Sequence, residues 1–297
     1  MFKGRLGLKT ARIPHADRHG LIWLEHGRLL VENGNLVFTT AGTDDLTKGS
    51  YQIPFQTVSN ILLAPGCTVS HDAMRILARH GTGLLAIGSN GVRFYAASMP
   101  LGPDRSQLAR VQARLWANES TRIAVAKRMY FLRLGEHLPH TTMDALRGAE
   151  GRRMKEIYKM LARQYEVAWN GRRYDRARPD EDDMINTAIN HASSALRAAA
   201  MIAVTVVGAI PQLGFIHESS GASFALDIAD LHRASVALPT AFAATRQAQT
   251  TGLADVESLT RRMIGAQLRR QNVIPEMISE IKELLDANDS DCDQECA

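Results

Sequence analysis

The sequence predicts an α+β multidomain protein: a small N-terminal β-sandwich-like domain with one helix, followed by a larger all-helical domain. Three observations predict it. Short β-prone runs fill the first hundred residues, and helical periodicity fills the rest. Met99-Pro100-Leu101-Gly102-Pro103 stands where the period changes. A length of 297 residues allows two modest domains, each with its own core. With 45% hydrophobic and 22% charged residues, the composition excludes wholesale disorder and fibrous structure.

The β region starts with Leu21 to Leu24, which is apolar and aromatic. Arg28 to Glu32 and Leu36 to Thr40 flank Asn33-Gly34-Asn35, a hairpin signal because Asn and Gly tolerate positive φ. Further strands are expected at Tyr51 to Phe55, Ser59 to Leu63, Gly83 to Ile87 and Val92 to Ala96. The last two are separated by the turn Gly88-Ser89-Asn90-Gly91. One helix interrupts them, with Ser70 as N-cap, Met74, Leu77 and Ala78 on one face, and Gly81 at its end.

Beyond the linker, helices are expected at Asp104 to Leu134, Met143 to Glu166, Asp182 to Ala209, Phe224 to Arg233, Leu238 to Arg246, Leu253 to Arg270 and Pro275 to Ala287. Pro239 and Pro275 suit first-turn positions. The expected domains are therefore 1–98, a linker at 99–103, a helical domain at 104–287, and a tail at 288–297. Asp286 to Ala297 carries five acids and no bases, so a disordered, solvated tail is expected.

Cys67, Cys292 and Cys296 make neither a disulfide framework nor a zinc site, which points to a reducing, cytoplasmic compartment. Met1 to Lys9 has basic residues but no apolar core, so no signal peptide is expected. Ala198 to Leu213 is the most apolar stretch. It is short for a bilayer and broken by Gly208 and Pro211, so it is read as a buried helix and no membrane partner is expected.

The net charge of +4 identifies no partner, but its distribution is uneven. Arg105 to Arg178 holds 17 Lys+Arg against 7 Asp+Glu, an excess of ten, so the remainder carries −6. Tyr130, Tyr158, Tyr165, Trp169 and Tyr174 lie inside that basic region. Basic residues interleaved with aromatics suit a phosphate backbone, and a solvated helix surface is the alternative.

Three features could carry chemistry. Glu150 falls on the apolar stripe of its helix, four, seven and eleven residues before Met154, Ile157 and Leu161. Gly148 and Gly151 bracket it, which would let another backbone, a metal or a ligand come close. Otherwise Glu150 is a boundary residue that pairs with Arg147 or Arg153. His217 stands where the apolar Leu213-Gly214-Phe215-Ile216 meets a small-residue loop, so one ring nitrogen could face a cleft. Asp227 and Asp230 share a helix face, where like charges repel unless a cation lies between them. Their alternative is a solvated face turned to Arg233. Together, a Glu, a His and one or two Asp suit magnesium or manganese.

The sequence resembles the CRISPR-associated integrases, the metal-dependent endonucleases of spacer acquisition, and their subtype I-E branch most of all. The resemblance runs from about Arg18 to about Ala287. It is carried by Leu146-Arg147-Gly148-Ala149-Glu150-Gly151, Trp169-Asn170-Gly171-Arg172-Arg173-Tyr174-Asp175, Leu213-Gly214-Phe215-Ile216-His217 and Asp227-Ile228-Ala229-Asp230. It implies a β domain joined to a helical catalytic domain, with Glu150, His217 and Asp230 as ligands of Mg2+ or Mn2+. Asp227 would be a supporting or DNA-facing acid of the catalytic set. Implied partners are a double-stranded DNA prespacer, CRISPR repeat DNA, and a second copy in a homodimer. A small ferredoxin-like CRISPR-associated adaptor is also implied, two integrase dimers flanking one adaptor dimer. The implied reaction joins prespacer 3′-hydroxyl ends to the repeat array by phosphodiester strand transfer. Arg93, Arg75, Arg172, Arg173, Tyr174 and His26 are the implied DNA contacts. His26, at a first-hairpin position, replaces a usual tyrosine, and Arg197 and Leu226 stand where tyrosines are found in that branch.

Two other readings compete. One is a non-catalytic DNA-binding scaffold. The other is a magnesium-dependent, pyrophosphate-processing helical enzyme of isoprenoid-synthase type, which also uses acids three apart. The latter wants a second acid-rich motif, which the sequence lacks, and leaves the β domain unexplained.

Overall fold

Among the described residues, eight strands form from the β-prone runs: β1 (Leu21–Leu24), β2 (Gly27–Glu32), β3 (Asn35–Thr40), β4 (Gly49–Gln52), β5 (Asn60–Leu63), β6 (Thr68–Val69), β7 (Gly83–Ile87) and β8 (Phe94–Ala97). They make two four-stranded sheets, ordered β1-β5-β7-β8 and β4-β3-β2-β6. The computed structural model describes residues 20–43, 46–98, 106–137, 139, 142–172, 183–253 and 255–286. The expected linker at 99–103, the acidic tail at 288–297, Arg173, Tyr174, Cys292 and Cys296 lie outside them.

Asn33 and Gly34 take φ of 50° and 80°, so β2 and β3 reverse in two residues and pair antiparallel, Leu29 opposite Phe38. Strand β1 belongs to the other sheet and runs parallel to β5. His26 is therefore at a corner between sheets rather than at a hairpin tip. The strand expected at Tyr51 to Phe55 instead ends at Gln52, because Pro54 has no N–H for a ladder. The expected helix is α1 (His71–His80), where Ser70 Oγ accepts from the Ala73 amide and Gly81 closes it at φ 68°. One core joins both sheets and α1: Leu24, Leu29, Leu36, Phe38, Val58, Ile61, Ala73 and Leu77 are all buried.

The helical region comprises α2 (Gln107–Ala117), α3 (Glu119–Leu134), α4 (Met143–Gln164), α5 (Met184–Val207), α6 (Ser223–Leu231), α7 (Leu238–Thr251), α8 (Val256–Arg270) and α9 (Val273–Asp286). The single helix expected from Asp104 to Leu134 is two. Asn118 breaks it, its side chain accepting from the Ser120 and Thr121 amides as the N-cap of α3. A π turn at Arg233–Ala237 joins α6 to α7. Helix α5 is the hub and packs against α6, α7, α8 and α9. Its apolar second half matches the stretch read as a core helix, ending at Gly208 with φ 75°. Among the described residues, no helix is long and apolar enough to cross a membrane.

By contact the chain divides into two compact units. One is the strand region up to Ile87 with Tyr95–Ser106; the other is Gly88–Phe94 with Gln107 onward. The sequence reading placed residues 88–94 in the β domain, whereas this excursion groups with the helices. Its Asn90 lies against Gly265 of α8, where a Cβ would come within 2.9 Å of the Asn90 Cβ.

Candidate functional site

Helix α4 buries Leu146, Met154, Tyr158 and Leu161, and Glu150 lies on that stripe with its side chain 19% exposed. A carboxylate there needs a partner, because an unpaired buried charge is expensive. The partner is neither Arg147 nor Arg153. Arg147 donates to the Ile216 carbonyl at 2.5 Å, and Arg153 pairs with Glu136. Glu150 Oε1 instead meets Arg133 Nη1 of α3 at 2.6 Å, and Glu150 Oε2 accepts from the Tyr130 hydroxyl at 3.2 Å. Burial, and then the Glu150 charge, push the Tyr130 phenol up, so it stays a proton donor. Gly148 and Gly151 do bracket Glu150, but a Cβ on either would meet open space.

His217 lies within the loop between α5 and α6, whose backbone is held from several sides. Gln112 Nε2 donates to the Ile210 and Leu213 carbonyls at 3.0 and 2.9 Å. Trp116 Nε1 donates to Gly214 O at 3.0 Å, and Arg122 Nε to Phe215 O at 3.2 Å. The amides of Phe215, Ile216 and His217 all donate to the Asp227 carboxylate, at 2.6, 3.0 and 2.9 Å. Asp227 Oδ1 also accepts from His217 Nδ1 at 2.7 Å. That bond fixes the tautomer and turns Nε2 toward Asp230, whose Oδ2 is 3.9 Å away. The Asp227 bond raises the imidazole above its usual value, outweighing burial. Asp227 has no exposed side-chain surface and holds the histidine from within.

Asp230, three residues on, points elsewhere. Its Oδ2 is 3.5 Å from Arg133 Nη1, and its Oδ1 is 3.6 Å from Arg233 Nη1. The two aspartates thus do not share a face turned to one cation. Burial of Asp227 among backbone amides also removes the acid pair that a pyrophosphate site of isoprenoid-synthase type would need.

Glu150 and Asp230, from α4 and α6, meet at the Arg133 guanidinium, and His217 lies beside Asp230. Two carboxylates and an imidazole with a free Nε2 have the donor chemistry of a hard divalent ion. As placed, Arg133 stands between the carboxylates, and among the described residues no three His, Cys, Asp or Glu side chains are set to hold one ion.

Beside them opens a cavity of about 430 Å³, lined by His217, Asp230, Arg93, Arg172, Arg197 and Arg233 among others. Four guanidiniums beside two polar site residues make it an anion-seeking cleft. Arg93 Nη1 donates to Ser194 Oγ at 3.2 Å, and Arg172 Nη1 to Asn186 Oδ1 at 2.8 Å. Arg75 lies on α1, paired at 3.1 Å with Asp72 and largely exposed. His26 is exposed at φ 52°. The structure thus brings Arg93 and Arg172 to the acids and histidine, while Arg75 and His26 belong to the β unit.

Sequence reasoning missed Arg133, Gln112, Trp116 and Arg122. A signal for Arg133 existed: it continues the stripe Ala126, Met129, Tyr130 of α3, a charge on a buried face like Glu150 on α4.

The chain matches the family described as CRISPR associated protein Cas1 over residues 21–137 and 132–275. It belongs to the Cas1 family. A relative from Escherichia coli K12, named CRISPR-associated endonuclease Cas1, is 39% identical over 236 residues, 79% of this chain and 75% of its own. A Geobacter sulfurreducens protein of the same name is 33% identical over 280 residues, 94% of this chain and 88% of its own. The crystal structure of a TtCas1–DNA complex superposes with a TM-score of 0.81 at 29% identity, covering 91% of this chain and 97% of that one. The β region followed by helices is thus the architecture of Cas1 structures.

Proposed function

We propose that this Cas1-family chain is a metal-dependent DNA endonuclease and integrase of CRISPR adaptation, joining prespacer 3′-hydroxyl ends to the repeat array. The observation that carries this reading is the convergence of Glu150, His217 and Asp230 beside the arginine-lined cavity. Endonuclease relatives and the DNA-bound TtCas1 structure support it. In the reaction the attacking 3′-oxygen bonds to a repeat phosphorus as the P–O3′ bond of the repeat breaks, so phosphodiesters are exchanged without net loss.

Glu150, His217 and Asp230 would hold Mg2+ or Mn2+, which supplies polarisation of the phosphoryl group and stabilises charge on the exchanging oxygens. Asp227 keeps the Nδ1 proton on His217, so that Nε2 presents a lone pair. Tyr130 orients the Glu150 carboxylate. Arg93, Arg172, Arg197 and Arg233 receive backbone phosphates at the cavity. The assembly is a cytoplasmic homodimer, two of which flank a dimer of a small ferredoxin-like adaptor.

The test is strand transfer of a labelled prespacer into repeat DNA with Mg2+, Mn2+ or chelator. E150A, H217A and D230A are each expected to abolish product while retaining prespacer binding. Retained Mg2+-dependent transfer in two of the three would reject the site. A non-catalytic scaffold would give no product from the wild-type chain with either ion.

A further inference from the structure

Arg133 is the most deeply buried guanidinium in the candidate site, its side chain 2% exposed. A buried cation is held by partners or is very costly. It has two partners, and both meet the same nitrogen: Nη1 is 2.6 Å from Glu150 Oε1 and 3.5 Å from Asp230 Oδ2. Its other donors are idle. Nε and Nη2 are buried with no hydrogen-bond partner among the described residues. Structural guanidinium–carboxylate pairs are frequently bidentate, with two parallel bonds. Here a single nitrogen is shared by two acids and two donors go unmet, a geometry dominated by charge. One positive nitrogen thus occupies the point on which both carboxylates converge, with His217 Nε2 facing the same Asp230 oxygen.

We propose that Arg133 is the resident counter-ion of the Glu150–Asp230 pair and that a divalent cation enters the site by displacing its guanidinium. The inference rests on the metal site proposed above and adds a competitor to it. Arg133 is a positioning residue: it keeps two like-charged carboxylates together in the free protein and sets how strongly an ion must bind to replace it. The candidate ligand set then needs no rebuilding when an ion arrives, only the withdrawal of one side chain.

The competition is read without catalysis, by titrating the full-length protein with Mn2+ and following the free ion by electron paramagnetic resonance. Removing a positive charge this close to the ligands predicts that R133M and R133Q bind Mn2+ about tenfold more tightly than wild type or better. R133K keeps the charge and is expected to stay near wild type. E150Q added to R133M removes the gain. A merely structural arginine would leave affinity unchanged or weaken it on removal, because the acids would splay. Folded R133M and R133Q binding no more tightly, while wild-type binding still depends on Glu150, overturns the competition and leaves the metal site standing. Absence of Glu150-dependent Mn2+ binding in every variant overturns both. A second measurement needs only the wild-type fold. The Arg133 Nε–H resonance, assigned by its loss in R133K, is expected to shift on saturation with Mg2+. A resonance that stays in place overturns the proposal.

Discussion

Asp227 Oδ1 lies 2.7 Å from His217 Nδ1, and the same carboxylate takes the backbone amides of Phe215, Ile216 and His217. One side chain thus sets both the path of the loop and the tautomer of the ring it carries. D227N keeps one oxygen for the Phe215 and Ile216 amides but turns an NH2 group to the His217 amide and ring, so metal affinity is expected to fall about 10–100-fold and stability by about 1–2 kcal/mol. D227A strands three donors and is expected to cost about 3 kcal/mol or more. Calorimetric metal titration and thermal melts separate the two. Unchanged metal affinity in folded D227N would mean that the ring bond is incidental.

Arg197 is exposed and lines the cavity. R197A is expected to weaken binding of double-stranded DNA of any sequence and to lower the slope of log affinity against log salt by about 1. Fluorescence anisotropy at several salt concentrations measures both. K282A, at an exposed cation of α9 that does not line the cavity, is the comparison, and an equal change there would remove the cavity's special place.

Glycines at the site should respond in opposite directions. A Cβ at Gly214 would meet Ser223 at 2.7 Å and the His217 carbonyl, backbone that cannot retreat, so G214A is expected to cost about 2 kcal/mol or more. At Gly148 and Gly151 a Cβ meets nothing, so alanine is expected to raise stability by about 1 kcal/mol each through helix propensity alone. Thermal melts decide, and a stabilised G214A would show that the loop is slack.

His191, at the cavity wall, has Glu257 Oε2 at 3.3 Å from Nε2 and Arg261 Nη1 at 3.5 Å from Nδ1. Burial lowers its pKa below the ordinary 6.5, with Arg261 and Arg93 adding to burial and Glu257 opposing it. The unfolded chain therefore takes up the proton first, and stability is lost as pH falls through about 6.5 toward the folded value. The melting temperature of wild type minus that of H191Q is expected to shrink from pH 7.5 to 5.5. A constant or widening gap would contradict the sign.

What sequence revealed was local. The Asn33-Gly34 reversal, the Ser70 cap and the place of Glu150 on an apolar stripe follow from neighbours within four residues. His217 and Asp230 were singled out by their sequence context and by the resemblance, but their surroundings were not legible. Arg133 meets Glu150 across two helices, and no short-range pattern reports such a pairing. The expected partners Arg147 and Arg153 were the nearest in sequence, and each is drawn off by another group. The break at Asn118 was overlooked because the apolar period continues across it, although its side chain had the chemistry to cap. Placing β1 and β2 in different sheets required knowing that β1 runs beside β5, which is a long-range choice.

The loop from Ile210 to His217 has a consequence for how the protein reaches working form. Its carbonyls are held by residues 98, 93 and 69 positions earlier, on three different helices. No fragment holding the loop and α6 without α2, α3 and α4 would hold His217 in this pose. The aim of the imidazole is therefore set by the docking of those three helices and not by the loop alone. A chain with those helices undocked would carry the histidine without aiming it.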